Sequence, residues 1–245
     1  MNPSEKIKYI SNWIKTYVDQ MPSKAQSLVV GISGGIDSSV SSTLSAMTGI
    51  KTIVLSMPIR QKDNQHDLSL KHQEWLIKNF KNVEAHTINL DKLFESFSST
   101  LKKFDNEHGY ANSRARLRMT TLYQVAAANK GIVVGTGNKV EDFGVGFYTK
   151  YGDGGVDISP IADCNKTDVW ELGKELGILK EIIDAPPTDG LWDDGRTDEG
   201  QLGFKYQDLE DAMKNPNSPH RQEYEKIRKQ NLHKMEPIPV CKIPS

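Results

Sequence analysis

Ser33-Gly34-Gly35-Ile36-Asp37-Ser38 is the stretch whose residue types and spacing carry the clearest chemistry. Paired glycines let a backbone turn tightly and leave no side chain in the way of a ligand. Serine hydroxyls and backbone N–H groups then converge on one point. The start of a helix adds its positive end, and the whole suits phosphate. A Walker loop would close with Gly-Lys-Ser/Thr, which is absent here. Instead an acid, Asp37, stands among the phosphate donors. That placement makes sense if Asp37 binds magnesium carried by a triphosphate.

Such a loop needs a strand to deliver it and a helix to receive it. Leu28-Val29-Val30-Gly31-Ile32 reads as a buried parallel strand, and residues 38–47 as the helix. Ahead of them Ile7, Ile10, Ile14 and Tyr17 follow helical spacing. Residues 52–55, 83–88 and 131–135 read as three further strands. Helices are expected over 67–80, around Leu93, Phe94 and Phe97, and over 112–128 with the apolar stripe Ala115, Met119, Leu122 and Ala126. The alternation predicts an α/β fold, a doubly wound, mostly parallel sheet with helices on both faces. Ligands of such sheets sit beyond the strands' carboxyl ends, where the Ser33–Ser38 loop and the segment after Gly135 both fall.

Beyond Pro160 the pattern turns to helices and loops. Residues 186–203, rich in Pro, Gly and Asp, read as a long loop of the kind that serves as a lid, with residues 58–65 as a second. Trp13, Trp75 and Trp170 are expected in the core, and Trp192 in the lid. Cys164 reads as a buried small hydrophobe. Arg114, Arg116 and Arg118, taken alone, read as a solvated helix face.

Composition narrows the classes. With 31 basic and 32 acidic residues the net charge is -1, so no global field favours nucleic acid or an anionic membrane. No apolar run approaches the roughly 18 residues of a membrane span, and no signal-peptide pattern opens the chain. The two cysteines, Cys164 and Cys241, have neither metal-ligand spacing nor a disulfide framework, which fits a reducing, cytoplasmic setting. The 245 residues suffice for one large α/β core, and the chain is read as a single domain, 1–245.

The Ser-Gly-Gly-x-Asp-Ser loop resembles the pyrophosphate loop of the N-type ATP pyrophosphatases, which cleave ATP to AMP and pyrophosphate while adenylating a substrate. The rest of the chain selects among them. Gly135-Thr136-Gly137-Asn138-Lys139-Val140-Glu141 resembles the NAD synthetase family. So do Ala111-Asn112-Ser113-Arg114-Ala115-Arg116-Leu117-Arg118-Met119 and the block from Phe147 through Thr149-Lys150-Tyr151-Gly152-Asp153-Gly154-Gly155 to Pro160. Asn165-Lys166, Ala185-Pro186-Pro187-Thr188 and His233-Lys234 follow that family's order. A tRNA-modifying pyrophosphatase would show a basic surface. A non-catalytic nucleotide-binding module would lack the metal acids.

The resemblance implies an adenine nucleotide alpha hydrolase-like fold with no glutaminase domain. It implies that deamido-NAD, ATP and ammonia give NAD, AMP and pyrophosphate through an adenylated intermediate. By the same resemblance Gly31, Ile32, Ser33, Gly34, Gly35, Ile36, Asp37 and Ser38 hold the phosphates of ATP. Thr136, Lys166 and Thr188 also contact ATP, and Asp37 and Glu141 bind magnesium. Asp37 and Lys166 are the implied catalytic pair. Arg116, Lys150, Asp157, His233 and Lys234 are implied to hold deamido-NAD, a polyanion for which Arg and Lys are the expected residue types. A homodimer with the dinucleotide at the subunit interface is implied as well. The chemistry needs charge stabilisation on phosphates more than a protein nucleophile, and the chain has no nucleophile motif.

Two departures stand out. Ile59-Arg60-Gln61-Lys62-Asp63 follows Met57-Pro58 where many members carry Tyr-Gly-Val-Gln-Lys-Asp, and Ser56 stands where an arginine is frequent, so Arg60 is a candidate to replace it. The stretch from Glu141 to Thr149 is one residue longer than in many relatives. Counting from Thr136 gives Glu141 as the second metal acid, and counting back from Thr149 gives Asp142. The strand end anchors the first count more firmly, so Glu141 is expected.

Overall fold

The computed structural model describes residues 1–60, 63–188, 191 and 197–244. Among these residues four parallel strands form one sheet: β1 (Ser27–Gly31), β2 (Lys51–Ser56), β3 (Val83–Thr87) and β4 (Gly131–Val134), in the order β3-β2-β1-β4. Val30 of β1 pairs with Val54 on one side and with Val134 on the other. The chain therefore winds outward from β1 to β3, then returns across β1 to lay down β4. That reversal opens a crevice between the ends of β1 and β4, the place where doubly wound sheets bind ligands.

Helices α1 (Pro3–Gln20), α2 (Ile36–Met47), α3 (Asp63–Asn79), α4 (Asp91–Thr100) and α5 (Glu107–Ala128) alternate with the strands. After β4 come a π-helical turn (Lys139–Val145), α6 (Lys166–Glu175), α7 (Lys180–Ile183), α8 (Asp198–Leu202), α9 (Tyr206–Lys214) and α10 (Arg221–Met235). Strand side chains alternate between the two faces of the sheet. Leu28 and Val30 join Ile14 of α1, Val40 of α2 and Leu172 of α6. Val29 faces the other way, with Phe94 of α4 and Ala126 of α5. Burial on both faces accounts for the unbroken apolar run in β1. A third cluster, Val140, Val145, Tyr206, Leu209, Ala212 and Tyr224, packs α9 and α10 onto the π-helical turn. It is the platform on which Glu141 stands. The turn closes at Gly146, whose φ is +68°; an added Cβ would lie 2.7 Å from Asn231 Cβ, so glycine fits and larger residues do not.

The α/β architecture expected from the sequence is present, with differences in detail. α2 begins at Ile36 rather than residue 38. α3 begins at Asp63, before the expected 67. Part of the long loop is helical: α8 forms because Thr197 caps it, its Oγ1 accepting the Gly200 N–H at 3.2 Å. Residues 189, 190 and 192–196 of that expected lid, Trp192 among them, and residues 61–62 of the other, lie outside the described residues. Trp75 and Trp170 pack against the core as expected, and Cys164 is buried. Trp13 does not: it is 40 % exposed, beside Tyr17 on the outer face of α1, because Ile7, Ile10, Ile14 and Val18 occupy the inner face. Among the described residues no helix is long and apolar enough to cross a membrane.

One buried group ties the fold to pH. His72 of α3 is fully buried, with Nε2 3.1 Å from Ser42 Oγ and its ring stacked on Trp75. Burial pushes the imidazole down to about 4 from 6.5. The unfolded chain therefore takes up this proton first as pH falls. The stability is complete above pH 6.5 and is lost between 6.5 and about 4, a span worth about 3 kcal/mol. Urea midpoints should drop across that window and drop less in His72→Gln. Equal drops in both proteins would clear His72 as the cause.

Candidate active site

The Ser33–Ser38 loop leaves β1 and enters α2 at the crevice. Gly34 takes a φ of +90°, a conformation that favours glycine, and Gly35 is the N-cap of α2 without a side-chain cap bond. Ser33 and Ser38 brace the turn: Ser38 Oγ accepts the Ser33 N–H at 3.2 Å and donates to Gly35 O at 3.0 Å. Among the described residues nothing accepts a bond from the N–H groups of Ile36, Asp37 or Ser38. These are the free donors of a helix start, carrying its positive end, and they form an anion cradle.

Asp37 is not the cap of α2. Its carboxylate turns across the crevice into a buried cluster. Lys166 Nζ, at the start of α6, lies 2.6 Å from Asp37 Oδ2 and 2.9 Å from Glu141 Oε1. The Lys166 side chain is 1 % exposed. Asn138 completes the frame. Its Nδ2 donates to Asp37 Oδ1 at 3.0 Å, and its Oδ1 accepts the N–H groups of Val140 and Glu141. One buried asparagine thus sets the Asp37 carboxylate and caps the turn that carries Glu141. Tyr206 Oη donates to Glu141 Oε1 at 2.5 Å. Thr136 follows β4 by two residues at the same crevice, and Thr188 follows Pro187, whose carbonyl accepts the Asp198 N–H at 3.0 Å.

The charges follow from this geometry. Burial disfavours the Lys166 ammonium, but the two carboxylates outweigh burial and hold it above the usual lysine range. Burial also pushes Glu141 up, yet Lys166 and the Tyr206 hydroxyl outweigh it and the group is held down. Asp37 is pushed up, because burial and the neighbouring Glu141 charge exceed the pull of Lys166. Asp142 takes no part in the ion pair. Its carboxylate lies against Gly137, where an added Cβ would collide with it. Burial, then the charges of Glu141, Asp153 and Asp37, push it well above the carboxylate range.

A second group of sequence-marked residues gathers where α5, the 148–155 segment and the end of α10 meet. Arg116 reaches Lys150 O, Lys150 Nζ donates to His233 O at 2.9 Å, and Lys234 Nζ donates to Tyr148 O at 2.8 Å. Asp157 stands apart from them. Its Oδ2 accepts the Val133 N–H at 2.7 Å and its Oδ1 the Tyr123 hydroxyl at 3.1 Å, so it also braces the edge of β4. Burial, then the Asp157 charge, pushes Tyr123 up to about 12.

Arg114 and Arg118 are not on a solvated face. Arg114 is 7 % exposed, stacks over Phe94 at 4.9 Å and donates to Leu191 O at 2.7 Å. Arg118 donates to Met57 O at 3.0 Å, fixing the end of β2. Arg60 lies over the Phe94 ring at 5.6 Å, while Ser56 is engaged by Ser69 Oγ at 2.8 Å. Asn138 and Tyr206 are the site members that sequence reasoning missed. Asn138 lies within the Gly135–Glu141 stretch, so its cap position ahead of an acid was the available signal.

Comparison with known proteins gives a consistent picture. The NAD synthase family model matches residues 6–243. The NH(3)-dependent NAD(+) synthetase of Carboxydothermus hydrogenoformans is 38% identical over 216 residues, covering 86% of this chain and 85% of that protein. The solved NMN synthetase of Francisella tularensis is 32% identical with a TM-score of 0.91, covering 99% of this chain and 100% of that one. The NH3-dependent NAD synthetase of Campylobacter jejuni shares the fold at 22% identity and a TM-score of 0.79, covering 99% and 100%.

Proposed function

The chain belongs to the NAD synthase family, and we propose that it makes NAD from deamido-NAD, ammonia and ATP through an adenylated intermediate. The observation that carries this reading is the phosphate cradle of α2 facing the buried Lys166, Asp37 and Glu141 cluster. The N–H groups of residues 36–38 would bind phosphate oxygens. Lys166 would move from the carboxylates to the phosphates and offset the charge that builds on the leaving pyrophosphate. A nicotinate oxygen bonds to the α-phosphorus as its bond to the bridging oxygen breaks. Ammonia then adds to the carboxyl carbon, a proton is lost and AMP departs. Arg116, Lys150, His233 and Lys234 would hold the anionic substrate beside this step. A homodimer completing that exposed group is part of the same proposal, checked by light scattering.

Asp37 and Glu141 fit magnesium, because both already converge on a single cation, the Lys166 ammonium. Two carboxylates plus substrate phosphates are the usual protein share for this ion. When bound it supplies charge neutralisation on the triphosphate.

The test is incubation with ATP, magnesium, ammonium and deamido-NAD, scoring NAD and pyrophosphate together. Pyrophosphate without NAD, or neither, would refute the reading. A second reading, amidation of the mononucleotide, is favoured by the 0.91 TM-score match to an NMN synthetase. The same assay with nicotinate mononucleotide decides between them, by which substrate has the larger kcat/KM.

Ammonium is expected to serve and glutamine is not. Glutamine hydrolysis of the common kind needs an activated thiolate. Burial, then the Asp168 charge, pushes Cys164 up to about 11, and Cys241 sits in an exposed tail. Turnover of glutamine by the purified chain at a rate near that of ammonium would contradict this.

A further inference from the structure

We propose that Tyr206 is a positioning residue that sets how strongly the Asp37–Glu141 pair binds a divalent cation. The proposal rests on the reading of those two acids as metal ligands. Tyr206 opens α9 and is fully buried. Two residues of α6 fix its ring: Trp170 meets it edge-on at 6.0 Å, and the Lys166 ammonium lies 4.8 Å from its centroid. A ring held this way has one place for its hydroxyl, 2.5 Å from Glu141 Oε1 and 3.2 Å from Asp198 Oδ2. A hydroxyl has one proton to give, and the shorter contact marks Glu141 as its acceptor.

Lys166 donates to the same Glu141 oxygen at 2.9 Å. The two donors differ in what a divalent cation does to them. The ammonium and the incoming cation repel, so Lys166 must leave. The neutral hydroxyl can stay. Tyr206 is therefore the donor that keeps Glu141 aimed while the cation replaces the lysine. Outer partners of ligating groups typically contribute about ten- to a hundredfold to metal affinity.

The test uses Mn2+ as probe, titrated calorimetrically into the whole protein with α,β-methylene-ATP present, so that no turnover enters. Tyr206→Phe keeps the ring and removes the hydroxyl. Its Kd for Mn2+ is expected to rise about tenfold or more. Its metal-free thermal midpoint should fall by only about 2–4 °C, the effect of one lost hydrogen bond. Trp170→Phe removes one of the two groups that fix the ring but leaves the hydroxyl and the Lys166 contact, and should lower the midpoint while raising the Kd for Mn2+ several-fold less than Tyr206→Phe does. Unchanged Mn2+ affinity in Tyr206→Phe, with a large loss in Glu141→Gln, would overturn the proposal. So would equal losses in Tyr206→Phe and Trp170→Phe, which would make packing the cause. Unchanged affinity in Glu141→Gln would instead overturn the metal reading of Glu141.

Discussion

Asp37→Asn is expected to lower pyrophosphate release by on the order of a thousandfold while the protein stays folded. The substitution keeps the shape and the bond from Asn138 Nδ2, which the side-chain oxygen can still accept. Its amide nitrogen then faces the Lys166 ammonium in place of an oxygen that stood 2.6 Å away. Breaking a buried ion pair commonly costs about 3–5 kcal/mol, because a charge is left alone. Here it is not left alone. Lys166 keeps Glu141 at 2.9 Å, and a cluster of one cation and two anions becomes a neutral pair. The fold should therefore lose little, and the loss should fall on chemistry. Circular dichroism and thermal melts of the variant, set beside pyrophosphate release at saturating magnesium, separate the two. Release within a few fold of wild type would reduce Asp37 to a structural partner of Lys166.

What the sequence disclosed and what it withheld follow from the range of the interactions. The turn from β1 into α2 was legible because its parts are local: an apolar strand, two glycines and a helix start occupy adjacent residues. Glu141 was legible at one remove, by its spacing from Thr136. The lock between Asp37 and Lys166 was not, because it joins residues 129 apart, across the crevice between β1 and α6. Tyr206 sits further along still and carries no motif of its own; only the packing of α9 on the π-helical turn brings it to Glu141. Helical periodicity shows which residues share a face but not what covers that face. Residue type alone placed Trp13 inside, although the isoleucines of α1 had already claimed the core. It left Arg114 outside, although Phe94 and Leu191 O receive it. The start of α8 depended on one cap, Thr197, inside a stretch whose composition otherwise reads as loop.

The same geometry separates two neighbouring acids. Glu141→Gln is expected to cut turnover by roughly a hundredfold or more and to raise the magnesium requirement, whereas Asp142→Asn should leave both within a few fold. Glu141 Oε1 receives Lys166 and Tyr206, so a glutamine there loses the charge that holds the ammonium and would hold the metal. Asp142 receives neither. Its carboxylate rests against Gly137 and is crowded by the charges of Glu141, Asp153 and Asp37. An asparagine of the same shape removes first the cost of burying a carboxylate and then that repulsion, so its thermal midpoint should equal or exceed that of wild type. The two variants are thus expected to move in different directions: one loses activity at little change in stability, the other keeps activity and gains stability. Magnesium titrations of pyrophosphate release, paired with melts in metal-free buffer, read both axes. If the Asp142 variant alone loses metal-dependent release, the acid that serves the site lies one residue further along the π-helical turn, and the side chain must swing away from Gly137 to reach it.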